Sequence, residues 1–180
     1  HKPSGGNPCE QIFLYREWVK EFADALGLSN LIIAGHSMGG GIALDYALRY
    51  PGTVKGLILV CTAARFAINA ERLASYKRGE YNPESARSAF FSPVAPEVLN
   101  RFIAENIEVD PLVRYTDLLA CSRFEEKGIE NIECPALIIC ASEDTATPPE
   151  LSGILAGRIK RSTLVTVENA AHYAMLEQPE

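Results

Sequence analysis

Residues 31–52 read LIIAGHSMGGGIALDYALRYPG, and this stretch decides the fold. Leu31-Ile32-Ile33-Ala34 is an apolar run too short for a helix and suited to a strand buried on both faces. Gly35-His36-Ser37-Met38-Gly39, a G-x-S-x-G sequence, follows at once; Ile42 to Tyr50 then reads as a helix stopped by Pro51-Gly52. Strand, glycine-bounded serine and helix, in that order, make a nucleophile elbow. Such a turn needs small residues two before and two after the serine, because other side chains would collide there. Gly35 and Gly39 fill those places, and Gly40 and Gly41 let the helix approach the sheet closely. The turn lifts the Ser37 hydroxyl above the sheet and aims a helix N-terminus at it, an end that favours developing negative charge. The backbone N–H of Met38 is then one oxyanion donor.

Outward from the elbow, the same rhythm repeats. Residues 12–26 place Ile12, Tyr15, Trp18, Val19, Phe22, Ala25 and Leu26 on one helical stripe, with Gly27 at its end. Residues 56–61, 136–140 and 163–167 are further apolar strand-like runs, and Pro149 to Ile159 has helical character. Strand–helix alternation predicts an α/β fold with a mostly parallel sheet and flanking helices. Residues 65–130 break the rhythm: Ala70 to Leu73 and Val98 to Glu105 are helix formers, but no strand-like run occurs. Phe66, Tyr76, Tyr81, Phe90, Phe91, Phe102 and Tyr115 fall in this segment. It reads as a helical lid inserted between two halves of the core, 1–64 and 131–180, since long insertions in compact domains are usually functional. The plainer reading is a helical packing layer.

A serine hydroxyl is a poor nucleophile until a neighbouring base takes its proton. Of three histidines, His1 is terminal and His36 lies inside the turn, where it would point away from the hydroxyl. His172, in the loop after the last strand, remains as the base. It needs a carboxylate to hold its tautomer. Asp144 and its neighbour Glu143 both follow the 136–140 strand, at the carboxyl edge where functional groups of a parallel sheet collect. Asp117 and Asp110, in the lid segment, are weaker candidates.

GHSMGGGIALDYALRYPGTVKGLILV resembles the elbow region of lipases, esterases and related enzymes of the α/β-hydrolase fold. CPALIICASEDTATPP is similar to that family's acid loop and gives Asp144 the catalytic place; VENAAHYAMLEQPE is similar to its histidine loop, with Ala171 where glycine is usual. The resemblance implies a Ser37–Asp144–His172 triad that transfers an acyl group to water, with no metal or organic cofactor. It also implies that several strands precede this chain in the family, one pairing with 31–34, and that a final helix follows. Strand 31–34 would then be an open apolar edge prone to association, leaving a homo-oligomer open. The second oxyanion donor would lie in that N-terminal segment, and losing one donor costs about 10² to 10³ in rate.

Composition narrows the partners. Seventeen Lys and Arg against 23 Asp and Glu, a formal charge of −6, argue against nucleic acid. No apolar run approaches the roughly 18 residues of a membrane span. Five cysteines, without a disulfide framework or a C-x-x-C pair, fit a reducing, cytoplasmic compartment. The glycines match neither a phosphate loop nor a dinucleotide fingerprint. The expected substrate is a small, moderately apolar ester; a lactonase, thioesterase, carbon–carbon bond hydrolase, cofactor-free haloperoxidase or aminopeptidase could use the same triad. A non-catalytic ligand-binding relative is the rival of another class, and a scaffold role a weaker one.

Overall fold

The computed structural model describes residues 6–81, 87–91 and 93–180. Residues 1–5, His1 among them, lie outside these, as do 82–86 and 92. Among the described residues, strands β1 (Leu31–His36), β2 (Val54–Val60), β3 (Ala136–Ala141) and β4 (Ser162–Val167) pair in that order, every pair parallel. Parallel neighbours cannot be joined by a tight turn, so each connection is a crossover. Helix α2 (Met38–Arg49) carries the chain from β1 to β2. The long crossover from β2 to β3 holds α3 (Ala70–Lys77), α4 (Pro96–Ile107) and α5 (Pro111–Ser122), and α6 (Pro149–Arg158) leads to β4. Helix α1 (Ile12–Ala25) precedes β1, and the short α7 (Ala174–Glu177) follows β4.

Local chemistry explains where the helices start. Asn69 caps α3 by accepting the Glu71 and Arg72 N–H groups. Asp110 caps α5 through the Leu112 N–H. Pro96, Pro111 and Pro149 occupy first-turn positions, where the missing N–H costs nothing. The main core joins Ala43, Leu44, Tyr46 and Ala47 of α2 to Leu57 and Leu59 of β2, Ile138 of β3 and Leu155 of α6. A second cluster brings Ile12 of α1 against Ala63, Phe66, Ala120, Cys121 and Phe124, which ties the inserted segment to the elbow side of the sheet.

Three expectations need correction. Strand β1 is not buried on both faces: Ile32 is 65% exposed, because β1 is an edge of the described sheet. Strand β4 is the other edge, and Leu164 and Val165 are exposed for the same reason. The α1 stripe is only partly inside: Ile12 is buried and Val19 packs against the core, but Trp18, Phe22 and Leu26 face outward, with Phe22 63% exposed. Small Ala23, outside the proposed stripe, is buried instead. Helix α2 also begins four residues earlier than expected, immediately after Ser37.

The glycines of the elbow are not equivalent. A Cβ on Gly35 would sit 2.2 Å from the Gly39 carbonyl oxygen, and one on Gly40 would fall 2.4 Å from Thr62 Oγ1. Around Gly39 a Cβ meets nothing within 4 Å, so the collision expected there is absent; Gly39 contributes its backbone, against which Gly35 packs. Gly35→Ala is therefore expected to destabilise the protein by about 1–3 kcal/mol through backbone displacement. Gly39→Ala, in a helix with open space, should be neutral or stabilising by roughly 0.5–1 kcal/mol. Urea melts of the two variants check the contrast.

Candidate active site

Every crossover in this sheet enters or leaves at the carboxyl ends of the strands, and the three chemically informative loops emerge on that edge. Ser37 follows β1, with backbone angles φ 53° and ψ −122°, a conformation strained for any residue with a side chain. Its N–H donates to the Val60 carbonyl at 3.0 Å, and its own carbonyl accepts the Thr62 hydroxyl at 2.7 Å. Met38 is the first residue of α2, so its N–H has no acceptor within the helix.

Asp144 stands in the loop after β3 and His172 in the loop after β4. His172 Nδ1 is 2.9 Å from Asp144 Oδ2, and His172 Nε2 is 2.9 Å from Ser37 Oγ. A carboxylate only accepts, so Nδ1 carries the proton and donates to Asp144, leaving Nε2 to accept from the Ser37 hydroxyl. Asp144 is only 2% exposed. Its Oδ1 accepts the Ala146 and Thr147 N–H groups at 2.8 and 2.9 Å, and its Oδ2 accepts the Thr147 hydroxyl at 2.7 Å. Burial pushes this carboxyl up, but the donors from His172 and Thr147 outweigh burial and hold it below its ordinary value. The same buried charge helps push the neighbouring Cys61 thiol up to about 12, after burial itself.

The other carboxylates go elsewhere. Glu143 accepts from Ser142 Oγ at 3.2 Å, Asp110 caps α5, and Asp117 accepts the Tyr15 hydroxyl at 2.5 Å. His36 Nε2–H donates to the His172 carbonyl at 2.7 Å, and its ring lies 4.7 Å from the His172 ring. It thereby fixes the backbone of the histidine loop, a contribution that spacing along the chain does not reveal. Ala171, in the place where glycine is usual, is buried, and its N–H donates to Glu177 Oε1 at 2.7 Å.

A cavity of about 580 Å³ opens from Ser37 and His172, walled by Phe66, Asn69, Leu118, Thr147 and Tyr173. A second lobe of about 290 Å³ shares Ser37 and is lined by Tyr76, Tyr81, Phe102 and Arg114. Four of the seven aromatics singled out in the inserted segment thus reach the walls. Phe90 instead stacks on Tyr173 at 5.4 Å, while Phe91 is exposed. Two wall residues, Arg72 and Arg114, have no counterpart in the sequence reading, because nothing in one dimension brings them to Ser37.

The family model for the alpha/beta hydrolase fold matches residues 3–179, and the chain belongs to that family. It is 26% identical to (E)-2-((N-methylformamido)methylene)succinate hydrolase of Acinetobacter baylyi, over 94% of this chain and 68% of that protein. It is also 26% identical to Lipase 1 of Psychrobacter immobilis, over 90% of this chain and 56% of that protein. Among solved structures, a hydrolase from Pseudomonas aeruginosa PA01 superposes with a TM-score of 0.88 at 27% identity, over 98% of this chain and 70% of the other. The chain spans from just over half to about two thirds of the length of these curated relatives.

His36 makes the site sensitive to acid. Burial, then the neighbouring His172, lowers its pKa to about 4, against 6.5 for the free side chain. A histidine depressed in the folded state contributes stability above its unfolded pKa and loses it as pH falls through the folded value. Thermal melts should therefore show the midpoint dropping between pH 6.5 and 4, and dropping less in His36→Gln. A midpoint equally pH-dependent in both proteins would remove His36 from this role.

Proposed function

We propose that this chain carries the catalytic residues of a serine hydrolase that cleaves an ester-like bond through an acyl-enzyme intermediate. The observation that carries the reading is the continuous relay from Ser37 Oγ through the His172 ring to Asp144, at 2.9 Å on each side. Ser37 attacks the substrate carbonyl as its proton passes to His172 Nε2. The resulting imidazolium is stabilised by the Asp144 carboxylate, whose environment keeps it ionised. Charge on the carbonyl oxygen rests on the Met38 N–H at the start of α2. His172 then protonates the leaving group and activates a water that attacks the acyl-serine, regenerating Ser37 and releasing the acid.

In this reading residues 65–130 act as a cap, between core halves 1–64 and 131–180, with its helices forming one wall of the cavity. The half-apolar lining, with Phe66, Leu118 and Phe102, suits a small and moderately apolar acyl or alcohol group. Relatives named as a hydrolase of a succinate derivative and as a lipase support hydrolysis, while pointing to different substrates. Nothing in the described residues forms a helix long and apolar enough to cross a membrane.

Hydrolysis of p-nitrophenyl acetate and butyrate tests the proposal. Ser37→Ala should lower turnover at least about 10³-fold, and Asp144→Asn about 10⁴-fold by misorienting the imidazole. A fluorophosphonate probe should label the parent protein and leave Ser37→Ala unlabelled. Equal turnover in parent and Ser37→Ala, or an unlabelled parent, would overturn the hydrolase in favour of a ligand-binding relative.

A further inference from the structure

Several cations of this acidic chain are neutralised where they stand. Arg16, Lys20, Arg78, Arg101, Arg123 and Arg158 each pair with a carboxylate. Arg72 and Arg114 are different. Both line the lobe that opens from Ser37 and Met38, and among the described residues neither forms an ion pair. Arg114, half-buried on α5, lies 3.8 Å above the Tyr81 ring, and its Nη2 donates to the Asn106 carbonyl. Arg72, on α3, lies 5.6 Å over Tyr76, with Nη2 3.5 Å from that hydroxyl. The rings and carbonyls hold the two forks in place without cancelling their charge. Both charges are felt at Tyr173, the residue after His172, where they oppose the upward push of burial on the phenol.

A cavity lined by two guanidinium groups without a carboxylate partner concentrates anions, and a guanidinium fork matches a carboxylate in plane and spacing. Asp117 is the opposing charge on the same wall. Its Oδ1 already accepts the Tyr15 hydroxyl, which holds that oxygen toward α1. We infer that the cavity selects an ester that also bears a carboxylate, held by Arg72 and Arg114 while Ser37 attacks the ester carbonyl. The carboxylate makes and breaks no bond; it positions the substrate. This rests on the hydrolase reading of Ser37.

The test compares kcat/KM for charged and isosteric neutral esters. One pair carries the carboxylate on the acyl side, p-nitrophenyl hemiglutarate against the p-nitrophenyl ester of 5-methylhexanoate. The other carries it on the alcohol side, p-acetoxybenzoate against p-isopropylphenyl acetate. The protein should prefer the charged member of at least one pair. That preference should fall about 10-fold to 100-fold in Arg72→Gln/Arg114→Gln, the range for losing hydrogen bonds to a charged group. Arg72→Gln alone, at an exposed helical position, should lose part of it, and Arg114→Lys should restore part of what Arg114→Gln loses. A preference absent from both pairs, or unchanged by the substitutions, overturns the inference. If no ester is turned over, the hydrolase reading fails and calorimetry with glutarate on Ser37→Ala decides the anion site. Binding that disappears in the double Arg variant upholds the site, and no binding overturns it.

Discussion

The backbone at Ser37 is the constraint on which the remaining geometry depends. At φ 53° and ψ −122° it costs on the order of 1–3 kcal/mol, and it persists only because its surroundings over-determine it. Gly35 lacks the Cβ that would strike the Gly39 carbonyl, so strand and helix can meet across one residue. The Ser37 N–H is held by Val60 of the next strand, and its carbonyl by Thr62 just beyond that strand. Thr62 is itself fully buried and occupies the space that a side chain on Gly40 would need. The turn after β1 is thus set by β2. Parallel pairing of the two strands is what positions a hydroxyl at the sheet edge.

The second constraint is electrostatic. Burying a carboxylate is costly unless its oxygens are satisfied, and Asp144 receives N–H donors from Ala146, Thr147 and His172 together with the Thr147 hydroxyl. These donors come from its own loop and from the histidine loop, so the charge can be maintained only when β3 and β4 are paired and both loops have formed. His36 then closes the circuit. It belongs to the elbow, yet it donates to the carbonyl of His172. Ser37, Asp144 and His172 follow three different strands, and their loops are joined by hydrogen bonds.

How much of this could be read in one dimension follows from the range of the interactions. The elbow was legible because strand, Gly35, Ser37 and α2 are contiguous, and steric rules for such turns are local. Asp144 and His172 were legible through the order of strands and the scarcity of histidines, although Glu143 could be set aside only by resemblance. Along α1, periodicity reports which face is apolar but not whether anything covers it. Trp18 and Phe22 satisfy the pattern and remain exposed. Helix α5 is hard to read in one dimension, because its start depends on the Asp110 cap and Pro111, signals weaker than an apolar run. Arg72 and Arg114 were invisible because they are about forty residues apart on different helices, and only packing of α3 against α5 brings both to one cavity wall.

That last juxtaposition separates two kinds of information in the chain. Ser37, Met38, Asp144 and His172 lie at the carboxyl ends of β-strands, in loops whose geometry is imposed by sheet pairing and by buried hydrogen bonds. The walls that a substrate would meet, among them Tyr76, Tyr81, Phe102 and Arg114, come from the single crossover between β2 and β3. A change at these wall residues alters size and charge around Ser37 without removing the hydrogen bonds that orient His172. A change at Thr62 or Gly35 disturbs the turn itself, because each removes one of the contacts that hold the strained backbone. Divergent substrates on one hydrolase core are the physical consequence of that asymmetry.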